Sequence, residues 1–148
     1  MCLLLFSRFP LCSFLFFLFA NLSLAQAPSE SNKLKIVEAD RLELRTENKE
    51  ELVILTGSPV RLLRGEEKIE AERVLYNKAR KVLKLLGNVY YLDKDQQEIR
   101  ADELDLDTSD ESFEAIEVRL KSGEFDLIGP ICQRAAGQIL LEQGYFTS

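Results

Sequence analysis

The residues with chemistry to offer are carboxylates. Asp105 and Asp107 flank Leu106, so on a strand they share one face, where two such groups can hold a hard cation such as calcium. Glu70 and Glu72 are close in sequence, as is Asp102 to Asp105 and Asp107. These acids alternate with apolar residues, which is also the pattern of an ordinary solvated strand face, and that plainer reading is preferred. Histidine is absent from all 148 residues. Its absence removes the usual general base at neutral pH, the Ser-His-Asp and Cys-His arrangements, and the commonest metal ligand. Gly57 and Gly87 lack the surroundings of a phosphate-binding loop. Cys132 has no His partner and reads as structural. No enzyme, metal site or cofactor is expected.

The elements that carry these acids come in three copies of one pattern: Val37-Glu38-Ala39-Asp40-Arg41-Leu42-Glu43-Leu44, Ile69-Glu70-Ala71-Glu72-Arg73-Val74-Leu75-Tyr76 and Ile99-Arg100-Ala101-Asp102-Glu103-Leu104-Asp105-Leu106. The alanines lie 32 and then 30 positions apart. Such a period with strand-like content predicts stacked copies of one β unit that share an elongated interior. Within each copy the apolar positions step by two, three and two. Strict strand alternation allows only steps of two, so the step of three predicts a bulge or a sharp bend at the same place in each copy. Strands that all turn at one corner and pass from one sheet to another build an antiparallel two-sheet fold, a sandwich or a jelly roll.

The return strands are alike too. Leu52 to Leu62 aligns with Val82 to Leu92, and Gly57 and Gly87 are 30 apart. Glycine inside a strand marks a bulge. Turns are expected at 46–49, 64–67, 77–80, 93–96, 108–111 and 121–123. Two further strands follow, at Glu124 to Ile128 and Gln138 to Glu142.

Residues 1–25 read as a signal peptide that forms an N-terminal helix. Arg8 is its only charge, Leu11 to Ala20 is apolar, and Ser23-Leu24-Ala25 supplies small residues for cleavage before Gln26. An uncleaved membrane anchor is the rival reading. Residues 26–32 form a linker, and 33–148 one β domain. Without Arg8 the chain keeps 18 basic residues against 25 acids, a net charge of −7. The two signs are interspersed, so the surface holds little attraction for nucleic acid.

The Ala-acid copies at Ala39-Asp40, Ala71-Glu72 and Ala101-Asp102, together with Leu86-Gly87-Asn88-Val89, resemble the OstA family of periplasmic lipopolysaccharide-transport modules, which includes LptA and the N-terminal domain of LptD. Gly57-Ser58-Pro59-Val60 is a looser match to the second element. The resemblance spans about Lys33 to Leu120. Gly137 to Ser148 is similar to the segment that joins the LptD N-terminal domain to its barrel, without that segment's Cys. A free-standing LptA-like module and a truncated LptD-like protein both stay open.

The resemblance implies a jelly roll opened along one edge that holds lipid acyl chains between its sheets. The lining expected is Val37, Ala39, Leu42 and Leu44 from the first copy, Ile69, Ala71, Val74 and Tyr76 from the second, and Ile99, Ala101, Leu104 and Leu106 from the third, with Val60 and Tyr90 from the return strands. It also implies periplasmic placement, at either membrane, lipopolysaccharide or a related lipid as ligand, and stacking through edge strands with other OstA-like proteins or with copies of itself. The rivals are a lipid-free scaffold with a dry core and an LptC-like anchored subunit.

Overall fold

The computed structural model describes residues 33–147. The expected signal peptide and linker lie outside the described residues. Ten antiparallel strands make one sheet: β1 (Leu34–Glu38), β2 (Arg41–Glu47), β3 (Glu50–Arg64), β4 (Glu67–Asn77), β5 (Val82–Leu92), β6 (Glu98–Asp107), β7 (Phe113–Ser122), β8 (Phe125–Ala135), β9 (Gln138–Glu142) and β10 (Tyr145–Thr147). The order is β1-β3-β4-β5-β6-β7-β8-β10, with β2 also on β3 and β9 also on β8. Every link from β3 to β8 joins sequence neighbours through a short turn, and those turns fall where Gly, Asn and Asp clusters predict them.

The sheet is folded along a corner that crosses every strand. β1 and β2 are one strand interrupted at Ala39-Asp40, where the Asp40 N–H donates to the Thr56 carbonyl at 3.0 Å. The corner continues through the register shift at 56–60 in β3, Glu72 in β4, Gly87-Asn88 in β5, Asp102 in β6, Glu117 in β7 and Pro130 in β8, and ends at Gln143-Gly144 between β9 and β10. On one side lies an upper arm: β2, β9 and residues 50–56, 73–77, 82–86, 103–107, 113–116 and 131–135. On the other lies a lower arm: β1, β10 and residues 60–64, 67–71, 89–92, 98–101, 118–122 and 125–129. The two expected sheets are thus the two arms of a single bent sheet.

At the corner the buried set changes parity. Ala71 and Val74 are both buried, as are Ala101 and Leu104, with Glu72-Arg73 and Asp102-Glu103 between them. The extra residues absorbed there belong to the return strands β3 and β5, not to the repeated copies. Gly87 has φ +77°, which an L side chain resists, and a Cβ on it would lie 2.5 Å from Glu72 Oε2. Gly144 is needed for a different reason: a Cβ there would meet Leu141 Cγ at 2.4 Å and the Ile128 carbonyl oxygen at 2.6 Å.

Two expected boundaries move. The strand expected at Glu124 to Ile128 runs on through Gly129-Pro130 to Ala135, and Tyr145–Thr147 adds a short strand that the sequence reading did not include.

Candidate functional site

Strand register lines the inner faces of both arms with rows of residues that are apolar but for Arg134. In the upper arm one row runs Leu42, Leu55, Val74, Leu85, Leu104, Ala115, Cys132, Leu141. Beside it run Leu44, Val53, Tyr76, Leu83, Leu106, Phe113, Arg134 and Ile139. In the lower arm Ile36, Leu62, Ile69, Tyr91, Ile99, Leu120, Leu127 and Phe146 follow one another in the same way. Facing rows of this length give the fold one elongated hydrocarbon interior.

Exposure changes along the rows. In the middle Val74, Leu85, Leu104, Ile69, Tyr91 and Ile99 are all at 0%, so no void large enough for water touches them. At the first strand the same rows come into the open, with Leu44 70%, Leu42 53% and Ile36 42% exposed. At the last strand Phe146 is again exposed. The interior is therefore packed at its centre, and exposed apolar side chains mark each of its two ends, here called its mouths.

The long side opposite the corner, where the tips of the two arms meet, is held by buried charge. Arg64 on the lower arm makes a paired contact with Glu67 through Nε and, at 2.9 Å, through Nη2. Its Nη1 crosses to the upper arm and donates to the Thr108 carbonyl at 2.9 Å. The Tyr91 hydroxyl donates to Glu67 Oε1 at 2.9 Å. Arg134 on the upper arm reaches Asp93 beyond the tip of β5, Nη1 to Oδ2 at 2.6 Å, while its Nε donates to the Glu111 carbonyl at 3.1 Å and its guanidinium lies 4.7 Å from the Phe113 ring centroid. Asp93 Oδ1 accepts the backbone N–H groups of Asp95 and Gln97. Burial opposes the charge on Arg64 and on Arg134, but Glu67 and Asp93 outweigh it and hold both guanidinium groups above their usual pKa. Burial pushes the Tyr91 phenol up, and the Glu67 carboxylate adds to the shift. Where the resemblance implied an edge standing open, these contacts close the middle of it.

Of the expected lining, Val60, Ile69, Ala71, Val74, Ile99, Ala101, Leu104 and Leu106 are buried together. Ala39 and Tyr76 pack against that core, half-buried. Leu42 and Leu44 lie in the rows at the first mouth. Val37 sits in the register shift of β1 and is 53% exposed. Tyr90 is not brought to this face: it lies opposite Glu70 and Arg100, and the Arg100 guanidinium is 4.9 Å from its ring centroid. Its neighbours Val89 and Tyr91 point inward instead. The sequence reading missed Leu55, Leu62, Leu83, Leu85, Phe113 and Leu120, which lie along the return strands, and the four charged residues at the arm tips, Arg64, Glu67, Asp93 and Arg134.

The acids considered for a cation have protein partners. Asp105 Oδ1 is 3.5 Å from Lys84 Nζ, and Asp107 Oδ1 accepts the Ser109 N–H at 2.8 Å. Cys132 is fully buried between Ala115 and Leu141 in the ladder, and burial raises its thiol pKa.

A solved structure matches this arrangement. It is LptH, the LptA homologous periplasmic component of the conserved lipopolysaccharide transport device from Pseudomonas aeruginosa. The chain has the LptH fold. The match covers 77% of this chain and 85% of that one with a TM-score of 0.63, at 17% sequence identity. No protein-family model and no curated protein sequence matches the chain. The all-β, LptA-type architecture expected from the Ala-acid and Gly-Asn copies is therefore the one found.

Proposed function

We propose that this chain is a periplasmic lipid-binding module that carries or bridges lipopolysaccharide, or a related amphiphile, toward the outer membrane. The observation that carries this reading is the run of apolar rows from Leu44 and Leu42 at one end of the fold to Phe146 at the other. Acyl chains enter at an exposed mouth and lie along the inner faces of the arms, while the charged sugar headgroup stays in water. Each methylene removed from water contributes about 0.8 kcal/mol, so one twelve-carbon chain gains up to about 9 kcal/mol before ordering costs. Passage to a neighbour needs a matching interior at similar free energy and no covalent step.

The ends of the sheet support the second half of the reading. Among the described residues, β1 and β2 at one end, and β9 and β10 at the other, pair with no strand on their outer sides, and each pair is interrupted at the corner. An edge of that shape adds strands from a module with the same interruption, which joins the two interiors. The partners are other LptA-type transport proteins or further copies of this chain. The likeness in fold to LptH, a periplasmic lipopolysaccharide-transport component, favours both the ligand and the compartment.

The zero exposure of the central residues favours a second reading, a stacking scaffold with a dry core and no ligand. Mass spectrometry of the small molecules that travel with the purified exported protein separates the two. Bound lipid A or another acylated amphiphile supports carriage. A lipid-free protein that oligomerises and takes up no added lipopolysaccharide supports the scaffold.

A further inference from the structure

The buried charges at the arm tips do something that an apolar core would not. In β3, β4, β5 and β8 the inner-facing positions are apolar through the strand and become charged at or beside the turn: Arg64 follows Val60 and Leu62, Glu67 precedes Ile69 and Ala71, Asp93 follows Val89 and Tyr91, and Arg134 follows Cys132. Two of the resulting contacts tie one arm to the other, Arg64 to the Thr108 carbonyl and Arg134 to Asp93. A third, Lys94 to Glu111 at 2.7 Å, crosses the same gap on the outside. Hydrophobic tips would seal the gap with equal or better stability, because buried ion pairs are costly to desolvate. Charged tips differ in how they open. When they part, both sides are hydrated at once and no apolar surface is left bare at the rim.

An amphiphile imposes a geometric demand here. Its chains lie between the arms and its sugar lies outside, so the bond joining them must pass between the tips. With the tips tied together at mid-length, a lipid that has entered at the Leu42–Leu44 mouth can travel no further than the Arg64 and Asp93 contacts. We propose that Arg64–Glu67–Tyr91 and Asp93–Arg134 form a latch, closed in the ligand-free fold, that must open for an acylated amphiphile to pass from one end of the interior to the other. This rests on the lipid-carrying reading for its ligand, while the latch itself stands on the contacts between the arms.

The test uses a Cys132→Ala background and the exported chain. In one variant Lys94→Cys and Glu111→Cys are joined by a short bis-maleimide, which pins the tips. The headgroup-poor dye N-phenylnaphthylamine and purified lipid A are then titrated onto pinned and unpinned protein. The pinned form keeps its dye binding and loses lipid A affinity by at least about tenfold. Equal lipid A binding by the two forms overturns the latch. A separate measurement needs no lipid: spin labels at Glu66→Cys and Ser109→Cys report the distance between the tips. Arg134→Met with Asp93→Asn broadens that distance and shifts it outward. A distribution unchanged from the parent overturns the latch even if lipid binds. Failure of both probes on every form tells against the lipid reading alone, and the spin-label distances then decide the latch.

Discussion

Leu44 lies directly opposite Val53 in the β2–β3 ladder, yet Leu44 is 70% exposed and Val53 is 9% exposed. The two side chains occupy one row of the same inner face, one strand apart. Among the described residues, nothing covers the row at its first member, and the whole bent sheet covers it at its second. A core position and a binding position are thus adjacent in one ladder, and substitutions separate them. Leu44→Ser leaves the unfolding free energy within about 0.5 kcal/mol of the parent but weakens uptake of a fluorescent lipopolysaccharide analogue by about tenfold. Leu104→Ala, at a fully buried site, costs about 2–5 kcal/mol of stability. Urea denaturation and an analogue titration on both variants check this.

The corner has its own signature. Gly87 and Gly123 both have positive φ, +77° and +59°, but a Cβ at Gly123 meets nothing within 4 Å while one at Gly87 meets Glu72. Gly123→Ala therefore carries only the backbone cost, about 1 kcal/mol, whereas Gly87→Ala adds the displacement of Glu72 from its hydrogen bond with Asn88 and costs more. Paired thermal and urea melts measure the difference. Equal losses would show that Glu72 swings aside freely and that the corner tolerates a side chain.

Alkaline pH weakens the fold through two buried acids. Burial raises the pKa of both the Cys132 thiol and the Tyr91 phenol. In the unfolded chain these groups lose their protons near about 8.5 and about 10. The folded chain then holds protons that the unfolded chain has released, so stability falls as pH rises. Their contribution is intact below the unfolded values and is lost as pH climbs through them toward the raised ones. Urea midpoints from pH 7 to 10.5 decline along that course, and Cys132→Ala with Tyr91→Phe flattens the decline.

Much of this fold is legible in the residues, and the gaps have physical causes. Ala39, Ala71 and Ala101 with their acids mark the corner because a step of three cannot occur within a flat strand, and the structure places Glu72 and Asp102 there. Gly57 and Gly87 both fall in register shifts but for different reasons: Gly87 has φ +77°, whereas a Cβ on Gly57 would lie 3.2 Å from the Asp40 nitrogen. Tyr90 was misplaced because the bulge at Gly87-Asn88 changes the parity of everything after it, so Val89 and Tyr91 take the inner face. The β7 set Phe113, Ala115, Val118 and Leu120 repeats the two-three-two step without a glycine, and its break at Glu117, φ 52°, has no marker in residue type. Arg64, Glu67, Asp93 and Arg134 were invisible for a different reason. They lie in or beside turn clusters, where charge usually means solvent, and only the approach of the two arms reveals their burial.

The most direct measurement of lipid burial between the arms places a photo-activatable phenylalanine analogue at one site at a time and irradiates the protein with lipopolysaccharide. Lipid held between the arms gives an adduct from Leu44, on the inner face at the mouth, and none from Tyr90, on the outer face beside Arg100. Adducts of equal yield at both sites, or none at Leu44, would contradict that placement.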